Sequence, residues 1–137
     1  MSVPGTRAAP PPAVPGRRAF PVLRAQRVAE TASFYERLGF TCRVRHPSTG
    51  EPVFVALIRD QAELAVTAAE PGDQPAADRG AFEMFVLVDD VDASVECLRT
   101  VGVPVLSEPV NMPWGERVAA VADPDSVRVA LASPRAS

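Results

Sequence analysis

The chain contains itself twice, and no other feature of the sequence constrains its fold as much. Val28, Gly39, Val55 and Asp60 reappear as Val91, Gly102, Val118 and Asp123, all at one constant offset and without a gap. The shared pattern extends to the local periodicity. Val22 and Leu23 end a strand-like run, and Val28, Ala32, Tyr35 and Leu38 follow at helical spacing before Gly39. In the second copy Phe85 to Val88 form the strand, and Val91, Val95, Leu98 and Val101 repeat the apolar stripe before Gly102. Each glycine stands where a left-handed backbone turn closes a helix at least cost. Asp89 and Asp90 precede the second helix as N-cap candidates, and capping accounts for this carboxylate pair without chemistry.

Further strand signals follow each helix. They run from Thr41 to Arg45, Pro52 to Ile58 and Glu63 to Ala68, then from Val103 to Leu106, Arg117 to Ala122 and Val127 to Ala132. The fold class is therefore α+β, two βαβββ repeats. One helix covers only one face of a four-stranded sheet, so two such units leave faces that can frame a cleft. Repeat 1 occupies about residues 20–69, a linker rich in Gly, Pro and Asp about 70–80, and repeat 2 about 81–133. Before them, residues 1–19 hold five prolines (Pro4, Pro10, Pro11, Pro12 and Pro15) and read as a flexible arm.

Composition narrows the function classes. The 137 residues suit one domain, and 47% hydrophobic with 23% charged residues is enough apolar material for a core. The formal net charge is -3 with Arg7, Arg17 and Arg18 all in the arm, so the folded body is more acidic than the whole, and nucleic acid is not an expected partner. No apolar run approaches membrane-spanning length, and prolines stand where a secretion signal would be apolar, so the expectation is a cytoplasmic protein with no membrane partner. Cys42 and Cys97 are expected to be buried free thiols.

Catalytic constellations are sparse. His46 is the sole histidine and falls in the polar stretch HPSTG, so no nucleophile and histidine pair is supported. The eight glycines form no phosphate-binding spacing. By strand alternation, Glu83, Phe85 and Leu87 share one face. Trp114, between Pro113 and Gly115, is placed for a ligand or a partner chain rather than for the core. Phe54 and Phe85 are readable either as core residues or as ligand contacts. Glu83 is readable as a solvated carboxylate or as a counter-charge for a cationic ligand.

The runs AFPVLRAQRVAETASFYERLGF, FVLVDDVDASV and PWGERVAAVADPDSVRVALA resemble the vicinal oxygen chelate superfamily of glyoxalases, extradiol dioxygenases and bleomycin-resistance proteins, and the last group in particular. The resemblance covers about residues 19 to 133. It implies a glyoxalase-like cleft, paired in a homodimer. In the enzymes of the superfamily, metal ligands on both repeats hold a divalent ion. Here those positions fall on Phe20, Glu83, Ala65 (or Thr67, with the gap placed differently) and Ala130, and only Glu83 is a ready ligand. The resemblance thus implies a non-catalytic binding protein with no cofactor, which sequesters a bleomycin-like antibiotic or related toxic natural product in an aromatic, acidic cleft. Phe54, Glu83, Phe85, Leu87 and Trp114 are its candidate contacts. The alternative is a divergent metal-dependent enzyme of the glyoxalase or dioxygenase type. The turn that often reads DPDGN in family members is DPDSV here, with Ser126 in place of the glycine.

Overall fold

A computed structural model describes residues 19–72 and 83–134. The expected arm, apart from residue 19, and residues 73–80 of the expected linker lie outside the described residues. The two repeats have the expected element order. The first is β1 (Val22–Ala25), α1 (Val28–Glu36), β2 (Thr41–His46), β3 (Phe54–Arg59) and β4 (Ala62–Ala68). The second is β5 (Glu83–Leu87), α2 (Val91–Thr100), β6 (Val105–Asn111), β7 (Glu116–Ala122) and β8 (Arg128–Pro134).

Each repeat builds a four-stranded sheet in the same order, β1-β4-β3-β2 and β5-β8-β7-β6. In both, the first strand crosses over through the helix to lie parallel to the last one, and the remaining pairs are antiparallel. The helices cover one face of each sheet. Leu23, Leu64, Val66, Val55 and Leu57 meet the α1 residues Val28, Ala32, Phe34 and Tyr35 in a buried cluster, which continues into Val121, Val129 and Leu131 of the second repeat. One core therefore spans both copies.

Local sequence explains the helix ends. Asp90 accepts a hydrogen bond from the Ala93 amide at 3.1 Å and caps α2, as expected. Arg27 at the equivalent end of α1 makes no side-chain cap, and α1 is held instead by the burial of Thr31, Phe34 and Tyr35. Gly39 has φ +98, and a Cβ there would lie 3.2 Å from Arg59 Nε, so both backbone and space favour glycine.

Several expectations are corrected. Val22 begins β1 rather than ending a strand, and β6 starts at Val105 because Pro104, which has no amide hydrogen, precedes it. Val101 lies past the end of α2 and is 48% exposed, so the apolar stripe stops at Leu98. Cys42 and Cys97 are free but exposed, because β2 is the outer strand of its sheet and Cys97 sits on the outward side of α2. His46 ends β2 instead of lying in the loop that follows, and it is exposed.

Candidate functional site

The geometry of the site starts from the alternation on β5. Met84 and Val86 point toward the core, while Glu83, Phe85 and Leu87 point the other way. Phe85 is 52% exposed and Leu87 59% exposed. Their cross-strand partners on β8 are Ala130 and Ala132, small residues that leave the two larger side chains standing proud. Helix α2 lies on the opposite face, where Ser133 Oγ accepts from the Val91 amide and Arg117 is paired with Asp92.

Trp114 occupies the β6–β7 turn, closed by the Gly115 amide bonding to the Met112 carbonyl at 3.2 Å. Its indole N–H donates to Glu116 Oε1 at 2.9 Å, which orients a ring that is 66% exposed. Glu116 pairs with Pro134 at the end of β8, so the tryptophan stands at the rim of the sheet that carries Phe85 and Leu87. Phe54 is placed elsewhere. It is half-buried on β3 of the other sheet, opposite Thr67 and His46.

Glu83 lies 3.4 Å from Arg128 Nε on the neighbouring strand, so its charge already has a partner. Sequence reasoning missed a second ion pair. Arg43, the extra residue at a bulge between Cys42 and Val44, is 2.9 Å from Glu63, whose side chain is fully buried. A bulge rotates a side chain out of the regular alternation, and the sequence pattern carries no sign of it.

A cavity of about 510 Å3 lies where the β3–β4 turn approaches β5. Phe40, Asp60, Glu63, Leu64, Phe85 and Leu87 are among its lining residues. Of the five candidates named from sequence, it gathers Phe85 and Leu87. Its volume falls in the range of about 300 to 1,000 Å3 common for small-molecule sites. The superposition of Asp60 on Asp123 was the available signal for this turn.

The donor set does not fit a catalytic metal. Phe20, Ala65 and Ala130 carry no ligating atom, Thr67 donates its hydroxyl to the Val53 carbonyl at 3.3 Å, and Glu83 is paired with Arg128. Among the described residues no three His, Cys, Asp or Glu side chains converge as a divalent centre requires.

A sequence profile of the glyoxalase/bleomycin resistance protein/dioxygenase superfamily matches residues 18–131. The chain belongs to this superfamily. Comparison with curated proteins gave no match. Among solved structures of the superfamily's fold, a bleomycin-binding protein in complex with bleomycin is 28% identical, with a TM-score of 0.60 over 87% of this chain and 99% of that one. A bleomycin resistance determinant encoded on transposon Tn5 is 28% identical, with a TM-score of 0.62 over 88% and 99%. TnmS3, an antibiotic binding protein from Streptomyces sp. CB03234, is 25% identical, with a TM-score of 0.66 over 89% and 99%. No helix among the described residues is long and apolar enough to cross a membrane.

Proposed function

We propose that this member of the superfamily is a non-catalytic binding protein that sequesters an antibiotic or related toxic natural product of the bleomycin-like kind and so confers resistance in the cytoplasm. The observation that carries the reading is the pair Phe85 and Leu87, two large apolar side chains left more than half exposed on the sheet face turned away from α2. Trp114 stands at the rim of the same sheet. Flat aromatic faces suit flat heteroaromatic ligands. The likeness to bleomycin-binding and antibiotic-binding proteins supports the same class of ligand.

The magnitudes call for a second surface. Complete burial of one such side chain stabilises by roughly 1.5 to 3 kcal/mol, so covering the exposed halves of two returns about 2 to 3 kcal/mol. A micromolar ligand needs about 8 kcal/mol. The remainder comes from closing the cleft, and we assign that role to a second copy of the chain in a homodimer with two equivalent sites. Phe54, on the other sheet, then serves the cleft from the partner's side.

The test is a titration with metal-free and copper-loaded bleomycin followed by Trp114 fluorescence, with recovery of the drug afterwards. Saturable quenching near one ligand per chain, lost in Trp114→Ala, and an unaltered drug are the expected results. A chemically changed drug would overturn this reading, and stoichiometric divalent metal in protein purified without chelator would favour the enzymatic alternative.

A further inference from the structure

The repeat puts a carboxylate at the same place in both copies, and the two have opposite fates. Asp123, before the last strand of the second repeat, is 3% exposed and accepts from the Tyr35 hydroxyl at 2.7 Å. Asp60, at the matching place in the first, is exposed, and Leu98, which has no hydroxyl to give, stands where the repeat would put a second tyrosine. The preceding residue differs as well, being Arg59 in the first copy and Ala122 in the second. The second copy thus builds its last hairpin with no arginine at that position.

Arg59 and Asp60 are consecutive, yet they do not pair with each other, and neither makes a side-chain hydrogen bond or ion pair with any other group among the described residues. Arg59 is half-buried, and its side chain lies beside Gly39, where a Cβ would come within 3.2 Å of its Nε. Both residues line the cavity of about 510 Å3 between the β3–β4 turn and β5. The neighbouring charges are already matched, Glu63 by Arg43 and Glu83 by Arg128. What the cavity offers a ligand is therefore one guanidinium and one carboxylate side by side, balanced in charge.

Beside this pair the walls are apolar, with Phe40, Leu64, Met84 and Val86 among them. Two adjacent opposite charges do not select a simple cation or a simple anion, since either one meets a like charge next to its partner. They select a molecule that carries both charges close together. An α-amino acid is a small molecule of that kind. Its carboxylate matches the fork of a guanidinium, its ammonium group matches a carboxylate, and an apolar side chain is left to bury against the walls.

We propose that the cavity between the β3–β4 turn and β5 binds a zwitterionic α-amino acid with an apolar side chain. Arg59 holds its carboxylate, Asp60 its ammonium group, and Phe40, Leu64, Met84 and Val86 receive the side chain. This goes beyond sequestration in both ligand class and place. Phe85 and Leu87 border both sites, but Trp114, which reports the drug titration, does not line this cavity, so the two readings stand or fall separately.

The test is calorimetry on the full chain at neutral pH with four probes. L-phenylalanine carries both charges, 2-phenylethylamine lacks the carboxylate, 3-phenylpropionate lacks the ammonium group, and L-serine keeps both charges without the apolar side chain. Wild-type protein is expected to bind L-phenylalanine saturably near one per chain, and about fivefold or more tighter than each of the other three, the scale of losing one charge-assisted contact. These comparisons need no variant, so they hold whether or not a substitution disturbs the fold. Arg59→Gln is expected to weaken L-phenylalanine by a similar factor without weakening 2-phenylethylamine. Asp60→Asn keeps the turn, since asparagine also tolerates the positive φ of 51 found there, and is expected to weaken L-phenylalanine without weakening 3-phenylpropionate. Absence of saturable L-phenylalanine binding, equal binding of the single-charge probes or of L-serine, or variants that bind L-phenylalanine as wild type does would overturn the proposal.

Discussion

Tyr35, on the helix of the first repeat, donates its hydroxyl hydrogen to Asp123 Oδ2 at 2.7 Å in the last turn of the second. Both side chains are buried, and the other oxygen of Asp123 accepts from the amides of Asp125 at 2.8 Å and Val127 at 2.9 Å. One carboxylate thus shapes its own turn and fastens it to the other repeat. Tyr35→Phe is expected to cost about 1.5 to 3 kcal/mol, the range for a hydrogen bond to a charged group. Asp123→Ala is expected to cost more, because it also orphans two amides. Urea denaturation of both single variants and the double variant checks this, with the double variant less destabilised than the sum of the singles.

The same carboxylate sets a pH dependence. Burial pushes the Asp123 carboxyl above its ordinary value, against the opposing hydrogen bonds from Tyr35, Val127 and Asp125. The folded state therefore holds its proton to higher pH than the unfolded chain does. The contribution of this group to stability is full below the unfolded value of about 3.9 and declines as pH rises through the folded value. Wild-type stability measured against Asp123→Asn between pH 3.5 and 7 is expected to fall across that window and then level off. A difference that rises with pH would contradict the assignment.

Ser126 sits in the left-handed region at φ 67, where superfamily members that read DPDGN have glycine. A left-handed non-glycine residue costs roughly 1 to 2 kcal/mol, and glycine returns about 0.5 to 1 of that in backbone entropy. Ser126→Gly is accordingly expected to stabilise by about 0.5 to 1 kcal/mol, read as a raised denaturation midpoint.

Both thiols are exposed and free, so each is expected to react with an aromatic disulfide reagent in native protein without denaturant. Burial raises the Cys42 thiol above its usual value, and Glu36 adds to the shift. In a Cys97→Ser variant the reaction rate of Cys42 should therefore rise with pH to a midpoint above the roughly 8.5 of a free cysteine. A lower midpoint would show that Arg45 dominates its surroundings.

Much of the architecture was legible because it is written in local periodicity. Val28, Ala32, Tyr35 and Leu38 mark a helix by their spacing alone, and Gly39 and Gly102 mark its end by a backbone angle that other residues adopt at a cost. The repeat added the global constraint, since a unit that buries one sheet face must meet its copy. Burial of particular side chains was less legible. Cys42 and Val101 look like core residues in composition but lie on an outer strand and past a helix end, and strand order is a property of pairing rather than of any one segment.

The sequence by itself determined the element order, the two βαβββ units and the common face of Glu83, Phe85 and Leu87. These follow from residue type and from periods of 3.6 and 2, which need no partner. Only the tertiary structure decided that Glu83 pairs with Arg128, that Arg43 meets Glu63 and that Tyr35 reaches Asp123. The two ion pairs depend on the order of strands within a repeat, and the tyrosine bond on how the two repeats are folded against each other, and such distances are set by pairing and packing rather than by any one segment.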